Sequence, residues 1–332
     1  MIRYFIGRVG SVVLTFLAGT SLLFVISRLS PTNPVDVIIS KLTAAGAYLT
    51  PEAYESIKGT FMKLYGLEKP LFEQYVLFMR GLVTGDLGPS FSHFPTPVID
   101  LIYRALPWTV GLLVVSIAIA WVLGNLIGVA AGYFEQKRFT KILEGGSLIV
   151  SLVPYPVIAL GLAFLFIYFI PIFPFFGGMP PGTVPGFSLE FILGIVKHAF
   201  LPAFSIILVT MGASVITMRA LTISVKTEDF VEYAELRGLP PYYVLWRYIL
   251  RNSLLPQVTG LALSLGQVFS GALVVEYIFA YPGLGQLSYY AIVNGDYNLM
   301  VGIAFLSIVG ISIAILLLEL LYPLIDPRTK AV

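Results

Sequence analysis

Residues 227–257 read TEDFVEYAELRGLPPYYVLWRYILRNSLLPQ and have a charged, helical pattern between two apolar segments. Thr227 is a candidate N-cap, and Gly238 shortly before a proline pair is a typical C-terminal stop, so the pattern predicts one short helix. The second proline of that pair, Pro241, suits the first position of another helix, which we expect to end before Pro256. The sequence therefore predicts a helical hairpin.

The composition indicates what this hairpin is attached to. Hydrophobic residues make up 58% of the 332 residues, charged residues only 11%, and the mean hydropathy is +0.90. A soluble domain carries about a quarter charged residues, so we predict an all-α polytopic membrane protein. The net charge of +2 is too small to favour nucleic acid as a partner. The absence of cysteine excludes disulfides and thiolate metal sites.

Six apolar segments approach or reach the length that is needed to cross about 30 Å of hydrocarbon. Each has to be helical, because an unpaired backbone group in lipid costs several kcal/mol. The first segment could also be read as a cleaved signal peptide, but it is longer than a usual signal core and no clear cleavage site follows, so we expect an anchor. The six predicted spans are residues 9–27, 108–133, 145–170, 199–218, 256–275 and 299–318.

The distribution of lysine and arginine predicts the orientation. The short loops 171–198 and 276–298 contain only Lys197, which is typical of the outer side of a membrane. We therefore expect both termini and the hairpin to be cytoplasmic. The segments that are rich in lysine and arginine are the N-terminus and residues 135–144, 219–255 and 326–332.

The same patterns predict the domain organisation. Residues 1–104 would hold the first span and a small extracytoplasmic region, in which residues 51–65 have a helical pattern and residues 85–90 form a turn. Residues 105–325 would form the main transmembrane domain, with the hairpin at 227–255. Residues 326–332 would be a cytoplasmic tail.

A few residues within the spans stand out. Gly124, Gly128 and Gly132 share one helix face, which favours close helix packing over any chemical role. Glu276 and Glu319 lie near span ends, where we expect their carboxylates to reach the membrane interface in preference to forming a proton relay. A polar path through the membrane needs polar side chains, and the candidates in otherwise apolar helices are Asn125, Thr210, Gln267 and Ser270.

The sequence shows no catalytic constellation. It has no phosphate-binding G-x-x-x-x-G-K-[ST] loop, no H-E-x-x-H zinc helix, no G-x-S-x-G elbow and no paired carboxylates inside the spans. We expect neither a cofactor nor a metal. An ion- or proton-driven carrier and an intramembrane enzyme or assembly factor are the competing classes, and both lack the residues that they need.

If the protein moves a solute uphill, the energy has to enter through another polypeptide, and the hairpin is a natural docking surface. Ala234 and Gly238 are four residues apart and small, so a partner could approach the helix backbone on that face. The alternative is a helix pair that lies on lipid headgroups.

The segment Glu232 to Gly238, followed by Asn252 to Pro256, resembles the EAA loop of permease subunits in binding-protein-dependent ABC importers. Tyr233 replaces the alanine of the general pattern. The resemblance extends over nearly the whole chain and is to the first permease type of the dipeptide/oligopeptide/nickel branch. The other matching segments are Arg3-Tyr4, Arg8, Arg28 to Pro31, Tyr65 to Leu71, Gly85 to Gly88, Glu276 to Phe279, Tyr281 to Gly285 and Asp326 to Arg328.

This resemblance implies the type I ABC importer permease fold in a prokaryotic cytoplasmic membrane. It also implies a second permease chain, two ATP-binding subunits that hydrolyse ATP, and an extracytoplasmic solute-binding protein. The cargo would be a peptide or an oligosaccharide, with a metal chelate as a third option. The residues that it places in the helix docked on an ATPase subunit are Glu232, Ala234, Glu235, Arg237 and Gly238.

Overall fold

Helices account for most of the residues that the structure describes. A computed structural model describes residues 2–29, 39, 43, 50–64, 66, 68–174, 176–183 and 186–325. Within these ranges β pairing is limited to one isolated bridge between Pro89 and Pro97, which confirms the predicted all-α class. The helices are α1 (Ile2–Leu29), α2 (Pro51–Leu64), α3 (Leu71–Thr84), α4 (Val98–Tyr133), α5 (Arg138–Leu152), α6 (Tyr155–Ala163), α7 (Leu189–Lys226), α8 (Asp229–Leu236), α9 (Pro241–Val244), α10 (Arg251–Gly266), α11 (Leu273–Ile278), α12 (Leu284–Val293) and α13 (Tyr297–Ile325).

Four of the described helices are long and apolar enough to cross a membrane. They lie in α1, α4, α7 and α13, so the predicted helices at 9–27, 108–133, 199–218 and 299–318 are confirmed. The pair Arg138–Leu152 and Tyr155–Phe169, which ends in the π-helical turns Phe164–Phe169, adds a fifth candidate if it is counted as one bent span.

The predicted span at 145–170 is not one continuous helix, because the chain bends by 94° between α5 and α6. Val153 adopts an extended conformation with ψ 124°, which is the conformation that a following proline imposes. Pro154 then precedes α6 as its N-cap residue. An apolar run that contains such a proline therefore forms two helices.

The prediction that Pro256 separates a short helix from a span at 256–275 is also wrong. Helical structure continues from Pro241 through the π-helical turns Leu245–Leu250 into α10, so Pro256 lies inside a helix. Proline is tolerated there because neighbouring groups can compensate for its missing N–H. The helix becomes 3₁₀ at Gln267–Ser270 and ends before Gly271, whose φ is +74°.

The region between the first two spans contains two described helices. α2 confirms the helical pattern predicted over 51–65, and α3 was not predicted. Gly85 with φ +76° ends α3 and begins the predicted turn. The predicted tail at 326–332 lies outside the described residues.

The chain divides into two compact units. One consists of Met1–Thr109, Phe269–Leu273 and Pro282–Ile313. Its core is formed by the start of α4 together with α12 and α13, and the residues of this core are Val98, Ile102, Ala105, Leu284, Ala291, Leu299 and Ile303.

The other unit consists of Val110–Val268, Val274–Tyr281 and Ala314–Val332. Within it α4 and α7 approach closely along the predicted glycine face. A Cβ on Gly128 would lie 2.7 Å from the Met218 Cβ and 2.8 Å from the Val215 carbonyl oxygen, so only glycine fits. The prediction that these glycines serve close packing is confirmed.

Candidate functional site

The inner face of the hairpin belongs to the core of its own unit. Val231 and Ala234 of α8 are buried, three residues apart on one face of the helix. They pack in one apolar cluster with residues of α4, α7 and the segment after α9. The other members of this cluster are Val129, Met218, Val244, Leu245 and Ile249. The hairpin is therefore attached firmly to the ends of α4 and α7.

The turn of the hairpin is closed by backbone hydrogen bonds. The Gly238 N–H donates to the Glu235 carbonyl at 2.9 Å, and the Leu239 N–H donates to the Ala234 carbonyl at 3.3 Å. This is a Schellman motif, in which Gly238 takes the left-handed position with φ +71°. The predicted helix end at Gly238 and the predicted helix start at Pro241 are confirmed.

The predicted N-cap of the hairpin is wrong by one residue. Glu228 occupies the N-cap position of α8, whereas Thr227 follows the last residue of α7. The Thr227 hydroxyl donates back to the Ser224 carbonyl at 2.8 Å. Because α7 continues to Lys226, Thr227 completes the preceding helix instead of starting the next one.

The outer face of the hairpin is exposed and carries large apolar side chains. Tyr233 and Leu236 are 67% and 76% exposed. Glu232, Glu235, Arg237 and Gly238 are also exposed. Large exposed apolar groups with polar neighbours are typical of a protein interaction surface. The remaining exposed aromatic residues on the hairpin are Phe230, Tyr242, Tyr243 and Trp246. We call the exposed residues 230, 232, 233, 235–238, 242, 243 and 246 the outer surface.

One predicted member of the docking face does not lie on this surface. Ala234 is only 3% exposed and contacts the chain's own core. The prediction that Ala234 and Gly238 together offer a small face to a partner is therefore wrong. The physical reason is the spacing of Ala234 from Val231, which places both side chains on the inner face of α8.

Two ion pairs hold the elements beside the hairpin. Arg219 Nη1 of α7 lies 3.0 Å from Glu144 Oε1 of α5. Lys226 Nζ at the end of α7 lies 3.4 Å from Glu135 Oε1, in the loop after α4. Both pairs are partly exposed, so each contributes about 1 kcal/mol or less. They add to the attachment that the apolar cluster provides.

The four candidate path residues lie in different surroundings. Asn125 is buried, and its Nδ2 donates to the Trp121 carbonyl at 2.7 Å. Thr210 is partly buried, whereas Gln267 and Ser270 are exposed at the two ends of the 3₁₀ turn. No hydrogen bond within the described part of the chain joins these side chains to one another, and their role in a polar path stays a prediction.

Two family models match the chain. The model of the "Binding-protein-dependent transport system inner membrane component" matches residues 124–331. The chain belongs to this family. The model of the N-terminal membrane component of the same systems matches residues 1–120. This inner-membrane component is thus a transport permease subunit of a bacterial-type cytoplasmic membrane, and its hairpin lies within the matched region.

Individual relatives are similar over the whole length of this permease. The oligopeptide transport system permease protein of Bacillus subtilis is 29% identical over 333 residues, which covers 99% of this chain and 100% of the relative. The corresponding oligopeptide protein of Haemophilus influenzae has the same identity and the same coverage. The dipeptide transport system permease protein of Bacillus subtilis is 28% identical over 335 residues, which covers 99% of this chain and 98% of the relative.

Sequence reasoning missed two buried polar side chains of this permease, those of Ser253 and Gln257. The Trp121 indole N–H donates to the Gln257 carbonyl at 3.0 Å and so connects α4 with α10. Ser253 Oγ, Gln257 Nε2 and Asn125 Oδ1 are buried and have no hydrogen-bond partner among the described residues. Ser253 and Gln257 are four residues apart at the end of the hairpin segment, and this spacing was the available signal. They join Asn125 as buried polar groups of the same compact unit.

The expectation for Glu276 of this permease is wrong as well. Its side chain is fully buried and does not reach out to an interface. The neighbouring Tyr281 is also buried, and its N–H donates to the Glu276 carbonyl at 2.7 Å. Burial first, and the charge of Glu276 second, raise the pKa of Tyr281 to about 12. The Tyr281 phenol therefore stays protonated at physiological pH.

Proposed function

We propose that the chain is one of two permease subunits of an ABC importer for peptides and that it forms half of the translocation pathway. The observation that carries this proposal is the similarity over 99% of the chain to permease proteins of oligopeptide transport systems. The partners are a second, different permease chain, two ATP-binding subunits and an extracytoplasmic solute-binding protein. No described residues form a metal-binding cluster, and the proposal requires none.

The outer surface is the proposed docking site for one ATP-binding subunit. Tyr233, Leu236 and Trp246 would supply its apolar centre, and Glu232, Glu235 and Arg237 its polar rim, as is common in protein interfaces. Ala234 would act from the inner face, by tying α8 to the core. Gly238 would hold the turn that presents the surface.

The proposed mechanism is alternating access by a shift in populations. ATP-driven closure of the partner subunits would move α8, and the apolar cluster would transmit this movement to α4 and α7 as rigid elements. The pathway would then open to the other side of the membrane. The polar groups proposed to face it are Asn125, Thr210, Gln267 and Ser270, together with Ser253 and Gln257.

The proposed topology has six spans with both termini in the cytoplasm. α1, α4, α7 and α13 supply four spans, the bent pair α5 and α6 supplies one, and α10 with its 3₁₀ extension supplies the last. We propose that residues 105–325 are the permease domain, with the coupling hairpin at 227–255, and that residues 1–104 combine the first span with an extracytoplasmic region.

The test is recovery of the ATP-binding subunit with a tagged chain. Leu236→Arg should abolish recovery of the untagged ATPase and stop peptide uptake, because it puts a charge at the centre of the outer surface. The matched control is Phe187→Arg, which changes a fully exposed apolar residue in the loop before α7. Normal recovery of the ATPase with Leu236→Arg would contradict the docking site.

The cargo needs a separate measurement. Cells that express the complete system should take up labelled di- and oligopeptides, and cells without this chain should not. An oligosaccharide offered in the same assay should remain outside. Uptake of the oligosaccharide with no uptake of peptides would overturn the cargo assignment and leave the permease assignment intact.

A further inference from the structure

The unit built from α1–α3, the start of α4, α12 and α13 contains a cavity of about 610 Å³ that the transport proposal does not use. This volume lies within the range of roughly 300–1,000 Å³ that is typical of ligand pockets. Four basic side chains line it, against one carboxylate, that of Asp86. The basic residues are Arg28, Lys63, Lys69 and Arg80.

The charges in this cavity are not balanced within the described chain. None of the four basic residues forms an ion pair with a residue that the structure describes. Asp86 Oδ1 already accepts a hydrogen bond from the Gly88 N–H at 3.2 Å. Arg28 is held over the Phe24 ring, with its guanidinium carbon 5.4 Å from the ring centroid. The cavity therefore favours an anion.

The cavity lies beside the ends of two apolar helix segments. Its lining includes Arg28, two residues beyond the apolar window Val9–Ile26 of α1, and Tyr297, the first residue of the apolar window Tyr297–Leu317 of α13. At 1.5 Å per residue, Arg28 lies about 3 Å beyond the apolar part of α1. Two separate spans thus place the same cavity where headgroups lie.

α3 connects this cavity with the apolar part of α1. The Tyr75 hydroxyl of α3 hydrogen-bonds to Ser21 of α1 at 2.8 Å, and the Tyr75 ring lies 5.3 Å from the ring of Phe24. Ser21 is five residues inside the apolar window of α1, at a depth of about 8 Å. The middle of α3 is therefore in contact with a part of α1 that lies within hydrocarbon.

Another face of α3 carries an apolar stripe. Phe72, Val76 and Val83 are all exposed, and at about 100° per residue they fall within roughly 40° of one another around the helix. The buried face of the helix carries Gln74 and Leu82 instead. Arg80 and Lys69, which line the cavity, lie on α3 and just before it. The stripe and the basic cavity are thus parts of one helical segment.

We propose that this cavity binds the phosphate headgroup of an anionic phospholipid, whose acyl chain lies along the stripe Phe72, Val76 and Val83. Arginine suits this ligand because its guanidinium group can bind phosphate oxygens through two parallel hydrogen bonds. An apolar helix face next to basic residues is the usual arrangement of helices that lie in an anionic membrane surface. The lipid site itself does not depend on the transport role, whereas its experiment rests on the complex proposed above.

The stripe favours a lipid over other anions. A free phosphate or an acidic loop of a partner protein would use the basic residues and would leave Phe72, Val76 and Val83 exposed to water. A phospholipid covers both features with one molecule. The depth of Tyr75, set by its hydrogen bond to Ser21, also places the stripe where acyl chains are present.

The experiment uses the complete complex in nanodiscs that contain phosphatidylcholine with or without phosphatidylglycerol. Native mass spectrometry after transfer to detergent counts the retained lipids of each kind. We expect the wild type to retain phosphatidylglycerol selectively. Arg28→Gln, Lys63→Gln and Arg80→Gln should each reduce this selectivity about fivefold, the factor expected for one basic residue near an anionic surface.

The matched control lies on the same helix as Lys63. Lys58 of α2 does not line the cavity and lies against the Tyr54 ring, 5.7 Å from its centroid, so Lys58→Gln should keep the wild-type selectivity. Val83→Asp should reduce retention although every basic residue remains. Recovery of the partner subunits with each variant shows that the chain has folded.

Four results would overturn the proposal. These are a wild type without selectivity, selectivity that survives all three cavity variants, and stabilisation of lipid-free complex by soluble glycerol phosphate to the same extent as by phosphatidylglycerol. The fourth is a loss of solute-binding-protein docking in the cavity variants with unchanged lipid retention, which would assign the cavity to an acidic protein surface.

Discussion

Two turns of the chain have the same backbone structure and opposite surroundings. At the first, the Gly238 and Leu239 N–H groups donate to the carbonyls of Glu235 and Ala234. At the second, which joins α12 to α13, the Gly295 N–H donates to the Ile292 carbonyl at 3.1 Å, and the Asp296 N–H donates to the Ala291 carbonyl at 2.8 Å. Both are Schellman motifs, with φ +71° at Gly238 and +63° at Gly295.

The residue after each glycine shows the difference. Leu239 packs against the apolar cluster under the hairpin. Asp296 is fully buried, and its carboxylate accepts hydrogen bonds from Ser90 Oγ, from Ser92 Oγ at 2.6 Å and from the Ser92 N–H at 2.8 Å. It also caps α13 by accepting from the Leu299 N–H at 3.1 Å.

This comparison separates stability from partner binding. The turn at Gly295 uses its following side chain inside the chain, where it joins the turn after α3 to the start of α13. The turn at Gly238 uses only its inner face inside the chain and leaves Tyr233 and Leu236 exposed. Changes at the Gly295 turn should therefore affect folding, and changes on the outer face of the Gly238 turn should affect the complex.

The largest expected effect on stability is that of Asp296→Ala. The substitution removes the acceptor of the buried donors of Ser90 and Leu299 and of the partly buried donors of Ser92. Hydrogen bonds to charged groups contribute about 1.5–3 kcal/mol each, so we expect a loss of about 3 kcal/mol or more in the free energy of unfolding. The thermal midpoint of the purified chain in detergent is the measurement.

The control for this prediction is Asp100→Ala, which removes an exposed carboxylate from α4 in the same unit. Its midpoint should stay close to that of the wild type, because exposed substitutions usually change stability by less than about 0.5 kcal/mol. Equal thermal midpoints for Asp296→Ala and Asp100→Ala would contradict the proposed role of the Gly295 turn in stability.

Local signals in the sequence were enough for part of the structure. Gly238, followed after one residue by Pro240 and Pro241, predicted the turn of the hairpin, because glycine accepts a positive φ and proline cannot continue the first helix. The glycine face of α4 predicted the close approach to α7. Each of these signals lies within a few residues of the feature that it predicts.

The errors have two physical causes. The length of the apolar run at 145–170 was counted without regard to Pro154, which divides it into two helices. Pro256 was given too much weight as a helix stop, since α10 accommodates it. Ala234 was assigned to the partner face from its size, although its spacing from Val231 indicates the inner face. Long-range contacts left no local signal, since Ser90 and Asp296 are far apart in sequence.

The next largest effect on stability is expected at the glycine with a positive φ in each of the two turns. Gly238→Ala and Gly295→Ala both force a side chain into the left-handed region, which costs about 1–2 kcal/mol. We expect similar decreases in the thermal midpoint for both variants. Gly10→Ala is the control, since this glycine of α1 has no neighbouring atom within 4 Å and is not among the residues with positive φ.

The function of the complex should distinguish those two glycine variants. Gly238→Ala should also lower ATPase activity that is stimulated by the binding protein, because it alters the turn that presents the outer surface. Gly295→Ala should lower activity only in proportion to the amount of folded complex. Identical activity per folded complex would indicate that the hairpin turn has no role beyond stability.

Lowering the pH should have a smaller effect on the thermal midpoint. Burial raises the pKa of the Asp296 carboxyl, but the hydrogen bonds from Ser90, from Ser92 and from the Phe91 backbone outweigh it, and the pKa lies below the ordinary value of 3.8. The stabilisation is therefore complete above that value and is lost as the pH falls through the lower pKa of the folded state. The thermal midpoint of the wild type should fall in this range, and that of Asp296→Asn should fall less. Parallel pH profiles would show that other carboxylates dominate.

The smallest effect on stability is expected on the outer face of the hairpin itself. Leu236 is 76% exposed, so Leu236→Ala removes few contacts within the chain and should change the free energy of unfolding by less than about 0.5 kcal/mol. Leu239, three residues later, packs against the apolar cluster, so Leu239→Ala should cost about 1–2 kcal/mol. The thermal midpoints of the two variants measure this difference.

The two leucine variants should rank in the opposite order when the measured quantity is recovery of the ATP-binding subunit instead of the thermal midpoint. Leu236→Ala removes a side chain from the proposed contact and should weaken recovery of the ATPase, whereas Leu239→Ala leaves the outer surface in place and should preserve recovery of the ATPase by the folded fraction. If Leu239→Ala lowered both the thermal midpoint and the recovery of the ATPase more than Leu236→Ala does, the hairpin would be a structural element only. A reversed order requires two faces with separate roles, because one substitution then affects the partner without affecting the fold.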